Sequence, residues 1–273
     1  MPAGTCHSAM CPGSRVMAYL DRDGVPVYYQ VSGAQNGNLP VLLSHGFAAS
    51  SQMWEPNVGA LAAARQVVSW DLRGHGRSGS PDDPAEYSQE ASVADMAAVL
   101  DACGISRVVA AGLSLGGYLS LAFCLACPDR VAGLVLCDTG PGFRSDEARQ
   151  RWNDYAIGQA GRLERDGLAA FGESPETRDA GHRSAAGLAR AARGILTQRD
   201  GSVIGSLPSI TIPALVLVGA RDQPFLAAAE YMAAKIPGAV HAVIPDAGHA
   251  CNIDQPELFN RQVLAFLQRR DLR

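Results

Sequence analysis

The ten residues Val108-Val109-Ala110-Ala111-Gly112-Leu113-Ser114-Leu115-Gly116-Gly117 constrain this chain more than any other stretch. A short apolar run, suited to a buried strand, passes directly into Gly-x-Ser-x-Gly, and a helical segment follows. A strand that turns into a helix over so few residues brings its two flanks together. Gly112 and Gly116 stand where a side chain would collide. The residue at the apex is pushed outward with strained backbone angles. A serine held there sits at a helix N-terminus, where the dipole and free N–H groups favour developing negative charge. The pattern predicts a nucleophile at Ser114.

The remaining apolar runs say what surrounds that turn. Val25–Val31 alternates and follows an Asp23-Gly24 turn, so it reads as a strand. Val41–Ser44, Gln66–Asp71, Val108–Ala111, Val131–Cys137, Ala214–Val218 and Ala239–Ile244 read as further strands, several of them continuous apolar runs of the kind buried on both faces. Helices are expected over Ser92–Cys103, Ser114–Cys127 and Leu258–Gln268. This alternation predicts a mostly parallel sheet with helices on both faces. It breaks between Gly140 and Leu207, a stretch rich in Ala, Arg and Gly whose large apolar groups include Phe143, Trp152, Tyr155 and Phe171. The expected domain organisation is a core over 16–140 and 208–273 and a small helical cap over 141–207, unable to fold alone. Residues 1–15, with Pro2, Gly4, Pro12 and Gly13, are expected to be a disordered extension.

A chain of 273 residues fits one large domain or two small ones. A net charge of −4 argues against a nucleic-acid partner. No apolar run has the length of a membrane span, and Met1–Arg15 lacks the apolar stretch of a signal peptide. The expected location is therefore cytoplasmic. Of the seven cysteines, Cys103, Cys124, Cys127 and Cys137 lie in apolar contexts and read as small core residues. Cys124-x-x-Cys127 falls late in a predicted helix, away from the N-terminus that would stabilise a thiolate. Cys6-His7…Cys11 lacks a second half with zinc spacing, so no metal is expected there.

A serine hydroxyl needs a base, and the base needs an orienting acid. His249 follows the last predicted strand in a Gly-containing loop and is the best base. Asp222 follows the strand Ala214–Val218 and is the best acid, with an N-cap role for the next helix as its plain alternative. Asp138, which also ends a strand, is the competitor. Cys251, two residues past His249, reads as packing. In a parallel sheet these strand ends point the same way, and the chain order Ser…Asp…His suits a nucleophile on such a turn. Two N–H donors are needed for an oxyanion. Leu115, directly after the serine, is one. Phe47 is the other, in the loop His45-Gly46-Phe47-Ala48, where Gly46 permits close approach. His45 reads as a structural hydrogen-bonding residue. Asp71-Leu72-Arg73-Gly74-His75-Gly76-Arg77-Ser78-Gly79 lacks the glycine spacing and the Lys-Ser/Thr pair of a phosphate cradle, so it reads as a locally hydrogen-bonded turn.

Together these motifs, spread from about Met17 to the end, resemble the α/β-hydrolase fold superfamily, and most closely its small bacterial esterases, enol-lactonases and related lactone hydrolases. The resemblance implies an eight-stranded, mostly parallel sheet with a helical cap inserted after the sixth strand. It implies a cofactor-free serine hydrolase cleaving carboxylic esters or lactones of small molecules through Ser114, Asp222 and His249. The substrate would lie against Phe225 and the cap residues Phe143, Trp152 and Tyr155, and one of Arg144, Arg149 and Arg151 could meet a substrate carboxylate. Hydrolytic C–C cleavage on the same three residues and non-catalytic ligand binding are the alternatives. The oligomeric state is left open.

Overall fold

The computed structural model describes residues 15–171 and 174–272. The apolar runs become β1 (Arg15–Arg22), β2 (Val25–Ser32), β3 (Val41–Ser44), β4 (Val67–Trp70), β5 (Val108–Leu113), β6 (Val131–Cys137), β7 (Ala214–Gly219) and β8 (Val240–Ile244). They form one sheet in the order β1-β2-β4-β3-β5-β6-β7-β8. β1 pairs antiparallel with β2, and β2 with β4; all other neighbours run parallel.

β1 is the strand that the apolar pattern does not announce. None of its residues is fully buried, and Met17 and Tyr19 face outward. It forms because Asp23 (φ 58°) and Gly24 (φ 87°) both take the left-handed conformation of a tight hairpin, which folds β1 back along β2. The extension expected over 1–15 thus yields Arg15 to β1. The rest of it, including Cys6-His7…Cys11, lies outside the described residues.

The helices are α1 (Glu55–Ala62), α2 (Gln89–Ala102), α3 (Leu115–Ala126), α4 (Asp146–Asp166), α5 (Ala185–Ala191), α6 (Ser202–Ser206), α7 (Gln223–Lys235), α8 (Cys251–Asp254) and α9 (Pro256–Leu267). α2, α4 and α5 each start behind a serine, Ser88, Ser145 and Ser184, whose hydroxyl accepts a first-turn N–H. Strand alternation divides the core. Leu42, Val68, Ala110, Leu134 and Val216 face one way, with Met96, Leu100, Leu119 and Phe123 of α2 and α3. Leu43, Val67, Ala111, Val135 and Leu217 face the other, with Leu61, Phe259 and Val263 of α1 and α9. Among the cysteines, Cys124, Cys137 and Cys251 are buried, whereas Cys103 and Cys127 are only partly so. No helix among the described residues is long and apolar enough to cross a membrane.

The segment between β6 and β7 is helical: α4, α5, a wider π-helical turn over Ala192–Leu196, and α6. Ala156, Ala191, Ile195, Leu196, Val203 and Ile204 pack into the core shared with α2 and α3. Its own cluster is small, with Ala160, Leu163, Leu188, Ala189 and Ala192 buried and Phe47 and Phe171 against them.

The Asp71–Gly79 turn is held from within and from outside. The Ser78 hydroxyl donates to Asp71 O at 2.6 Å and accepts from Tyr28 N–H at 2.8 Å. Arg73, read from sequence as bonded locally, instead reaches α2. Its Nε and Nη2 meet the two carboxylate oxygens of Asp95 at 2.7 and 2.9 Å, and Arg22 joins at 3.2 Å. Both partners of the central pair are buried. Asp95→Ala takes away the fork of bonds on Arg73 and leaves the buried guanidinium with the half-exposed Glu86 carboxylate. It is therefore expected to destabilise the fold by about 2–4 kcal/mol, short of the full cost of an unpaired buried charge, read as a fall in the urea midpoint at unchanged m.

Candidate active site

The sheet order reverses direction at β3 and β5: the chain leaves β3 toward β4 on one side and leaves β5 toward β6 on the other. The crevice outside their C-terminal ends is where ligands bind in such sheets. The loop His45–Ala48 follows β3, and Ser114 follows β5, so both open into that crevice.

Ser114 has φ 54° and ψ −118°, a backbone conformation that L-residues rarely adopt. The surroundings impose it. A Cβ on Gly112 would lie 2.2 Å from Gly116 C and O, and one on Gly116 would lie 2.1 Å from Ser44 O. Ser114 N–H donates to Cys137 O at 3.0 Å, and the Thr139 hydroxyl donates to Ser114 O at 2.6 Å. The Ser114 side chain makes no helix-capping hydrogen bond and is partly exposed.

Asp222 stands at the N-cap position of α7, yet its side chain makes no capping bond. Its Oδ2 lies 2.9 Å from His249 Nδ1, and the carboxylate is almost wholly buried. Asp138, the competing acid, is spent elsewhere. Its Oδ1 accepts from Gly219 N–H at 2.7 Å and its Oδ2 from Cys251 N–H at 3.2 Å, so it ties the end of β7 to the start of α8. Burial pushes the Asp138 carboxyl up to about 7. For His249, burial pulls the imidazolium down, but the Asp222 hydrogen bond and the charges of Asp222, Asp138 and Glu176 together outweigh it, and the net shift is upward. The Phe225 ring stacks on His249 with centroids 5.0 Å apart.

The loop after β3 lies against the serine: a Cβ on Gly46 would sit 3.4 Å from Ser114 Cβ. Neither Phe47 N–H nor Leu115 N–H has an acceptor among the described residues. His45 is engaged at both nitrogens, with Nδ1 2.7 Å from Gly46 O and Nε2 accepting from Leu72 N–H at 3.0 Å. The Asp71 carboxylate accepts from Ser51 N–H and Arg77 N–H at 2.7 and 2.8 Å. With those bonds the loop is built into the body of the protein.

Of the four aromatic residues expected against a substrate, Phe225 touches His249. The Phe143, Trp152 and Tyr155 rings pack in tilted contact at 6.0 and 5.4 Å, Trp152 donates to Leu196 O at 2.8 Å, and Tyr155 is 54% exposed. Arg149 is paired with Asp146, and Arg144 and Arg151 are exposed. Three residues near the site carry no local signature in the sequence. Phe171 meets the Phe47 ring edge-on at 5.8 Å, His182 lies 2.8 Å from Ala48 O, and Glu176 acts on His249 through its charge. All three lie in the irregular stretch before α5.

The family model described as "Alpha/beta hydrolase family" matches residues 41–262. The chain is 30% identical over 266 residues to a Bacillus subtilis (strain 168) protein named "Putative 2-succinyl-6-hydroxy-2,4-cyclohexadiene-1-carboxylate synthase", covering 90% of this chain and 96% of that one. It is 28% identical over 259 residues to 3-oxoadipate enol-lactonase 1 of Acinetobacter baylyi (strain ATCC 33305 / BD413 / ADP1), covering 88% and 92%. Among solved structures, a malate-bound thermophilic esterase from Thermogutta terrifontis superposes with a TM-score of 0.79 at 31% identity, over 95% of this chain and 100% of that one.

Proposed function

The chain belongs to the alpha/beta hydrolase family, and from that membership we propose that it is a serine hydrolase cleaving carboxylic esters or lactones of small molecules through an acyl-enzyme. The observation that carries this reading is the buried Asp222 carboxylate held 2.9 Å from His249 Nδ1, on the same sheet edge as a serine forced to φ 54°. His249 takes the proton of Ser114 as the hydroxyl attacks the carbonyl carbon. Phe47 and Leu115 N–H groups receive the oxyanion. His249 then protonates the leaving alcohol, and water, deprotonated by the same imidazole, releases the acid. Asp222 fixes the proton on Nδ1 and stabilises the imidazolium.

The upward shift of His249 sets the acid limb. The base works neutral, so activity falls as pH drops through its raised value. The charges bearing on the imidazole are the carboxylates of Asp222, Asp138 and Glu176. An uncharged acyl group suits such a site better than a carboxylate. The helical segment over 141–207 acts as a lid, with Phe225 as one wall of the substrate site and with Phe143, just before α4, packed beside Trp152 and Tyr155 on α4. The names of the enol-lactonase and esterase relatives support ester and lactone substrates.

A fluorophosphonate probe is expected to label Ser114, and a panel of p-nitrophenyl esters and lactones to be turned over faster than a vinylogous diketone. Labelling with turnover of the diketone alone would move the reading to C–C cleavage. An unlabelled Ser114 with no turnover at all would leave ligand binding.

A further inference from the structure

His182 joins the segment between β6 and β7 to the loop carrying Phe47. It is partly buried, in the irregular stretch before α5. Its Nδ1 accepts from Gly76 N–H at 3.0 Å, and its Nε2 lies 2.8 Å from Ala48 O. An imidazole that accepts at Nδ1 carries its proton on Nε2, so the ring donates to Ala48. Ala48 is the residue after Phe47 and is held at φ 57°, a conformation that persists only where the surroundings fix it. The contact is reinforced by rings: His75 meets His182 at 5.8 Å and Phe47 at 5.6 Å, while Phe171 covers Phe47 from the helical side. The other restraints on this loop, His45 to Leu72 and Asp71 to Ser51, come from the loops after β3 and β4 themselves.

We propose that His182 is a positioning residue that latches the helical segment onto the loop bearing the Phe47 N–H, and so sets the oxyanion donor in place. This rests on the serine-hydrolase reading of Ser114. The latch works only in the neutral form. A proton on Nδ1 would remove the acceptor for Gly76 N–H and place two donors face to face. The groups that face the ring are the Asp71 carboxylate and the imidazoles of His75 and His45. Burial lowers His182 and outweighs the Ala48 bond and the Asp71 charge, and burial lowers His45 and His75 as well, so the cluster rests uncharged at neutral pH. Acid therefore opens the latch without touching Asp222 or Ser114.

The test compares full-length wild type, His182→Ala and His182→Gln on one p-nitrophenyl ester from acid to neutral pH, with fluorophosphonate labelling in parallel. A misplaced donor loses transition-state stabilisation rather than substrate binding. His182→Ala is expected to lower kcat about 10²-fold with little change in KM. Glutamine offers an amide oxygen to Gly76 and an amide N–H to Ala48 but does not titrate. It is expected to recover most of kcat and to show one proton in its acid limb where the wild type shows two. A His182→Ala kcat within about twofold of wild type overturns the latch. So do superimposable acid limbs for wild type and His182→Gln, which carry the test should the alanine variant not fold. An inactive wild type unlabelled at Ser114 overturns the underlying reading instead.

Discussion

Ser114→Ala is expected to lower kcat for a p-nitrophenyl ester by about 10⁴–10⁶-fold while the fold survives, because the remaining donors and binding contacts still provide some rate enhancement over water. The variant removes the oxygen proposed to attack and nothing that the elbow needs. The strained angles at residue 114 come from Gly112, Gly116, the Ser114 N–H bond to Cys137 O and the Thr139 hydroxyl, all of which act on backbone. The serine side chain caps no helix turn. Alanine at φ 54° carries the same kind of backbone cost as serine, so the thermal midpoint should move little. Stopped activity together with an unchanged midpoint assigns the loss to chemistry. Turnover within about a hundredfold of wild type would remove Ser114 from the mechanism.

Much of this architecture is readable in one dimension, for reasons that differ by element. β5 and the turn after it are legible because steric demand and residue type coincide: a Cβ at 112 or 116 has no room, and the sequence has none there. The parallel strands are legible because burial on both faces leaves continuous apolar runs such as Val41–Ser44. Asp222 and His249 are legible once strand ends are assumed to share an edge. β1 escapes because an edge strand with no buried residue has no apolar pattern to read; its hairpin turn is the only local signal. Arg73 and Asp95 escape because an ion pair across 22 residues has no period. The stretch between Phe171 and α5 is least legible of all. Phe171 and His182 are placed there by what they meet, Phe47 for the one and Ala48 and Gly76 for the other, more than a hundred positions earlier.

Asp222→Asn and Asp138→Asn should fail in different ways, and the difference decides which carboxylate serves His249. Asparagine at 222 can present its amide N–H₂ or its oxygen to Nδ1, and in either case the carboxylate proposed to select the working tautomer and stabilise the imidazolium is gone. A loss of about 10⁴-fold in kcat is expected, with stability nearly kept. The residual activity should also report the base. Asp222 holds the imidazolium up through its hydrogen bond and charge. Without it His249 stays neutral to lower pH, and the acid limb moves down. At 138 the two oxygens accept from Gly219 N–H and Cys251 N–H. Asparagine keeps one acceptor and turns a donor toward the other N–H, at a site with no water access. The expected cost is about 1–3 kcal/mol of stability from the unmade bond. Its effect on kcat should be far smaller than that of Asp222→Asn, since Asp138 reaches the imidazole only through space. Urea unfolding and kcat measured on both variants separate the cases. If Asp138→Asn lost the larger share of kcat with its stability intact, the acid of the site would be Asp138, and the 2.9 Å contact between Asp222 and His249 would be a packing feature.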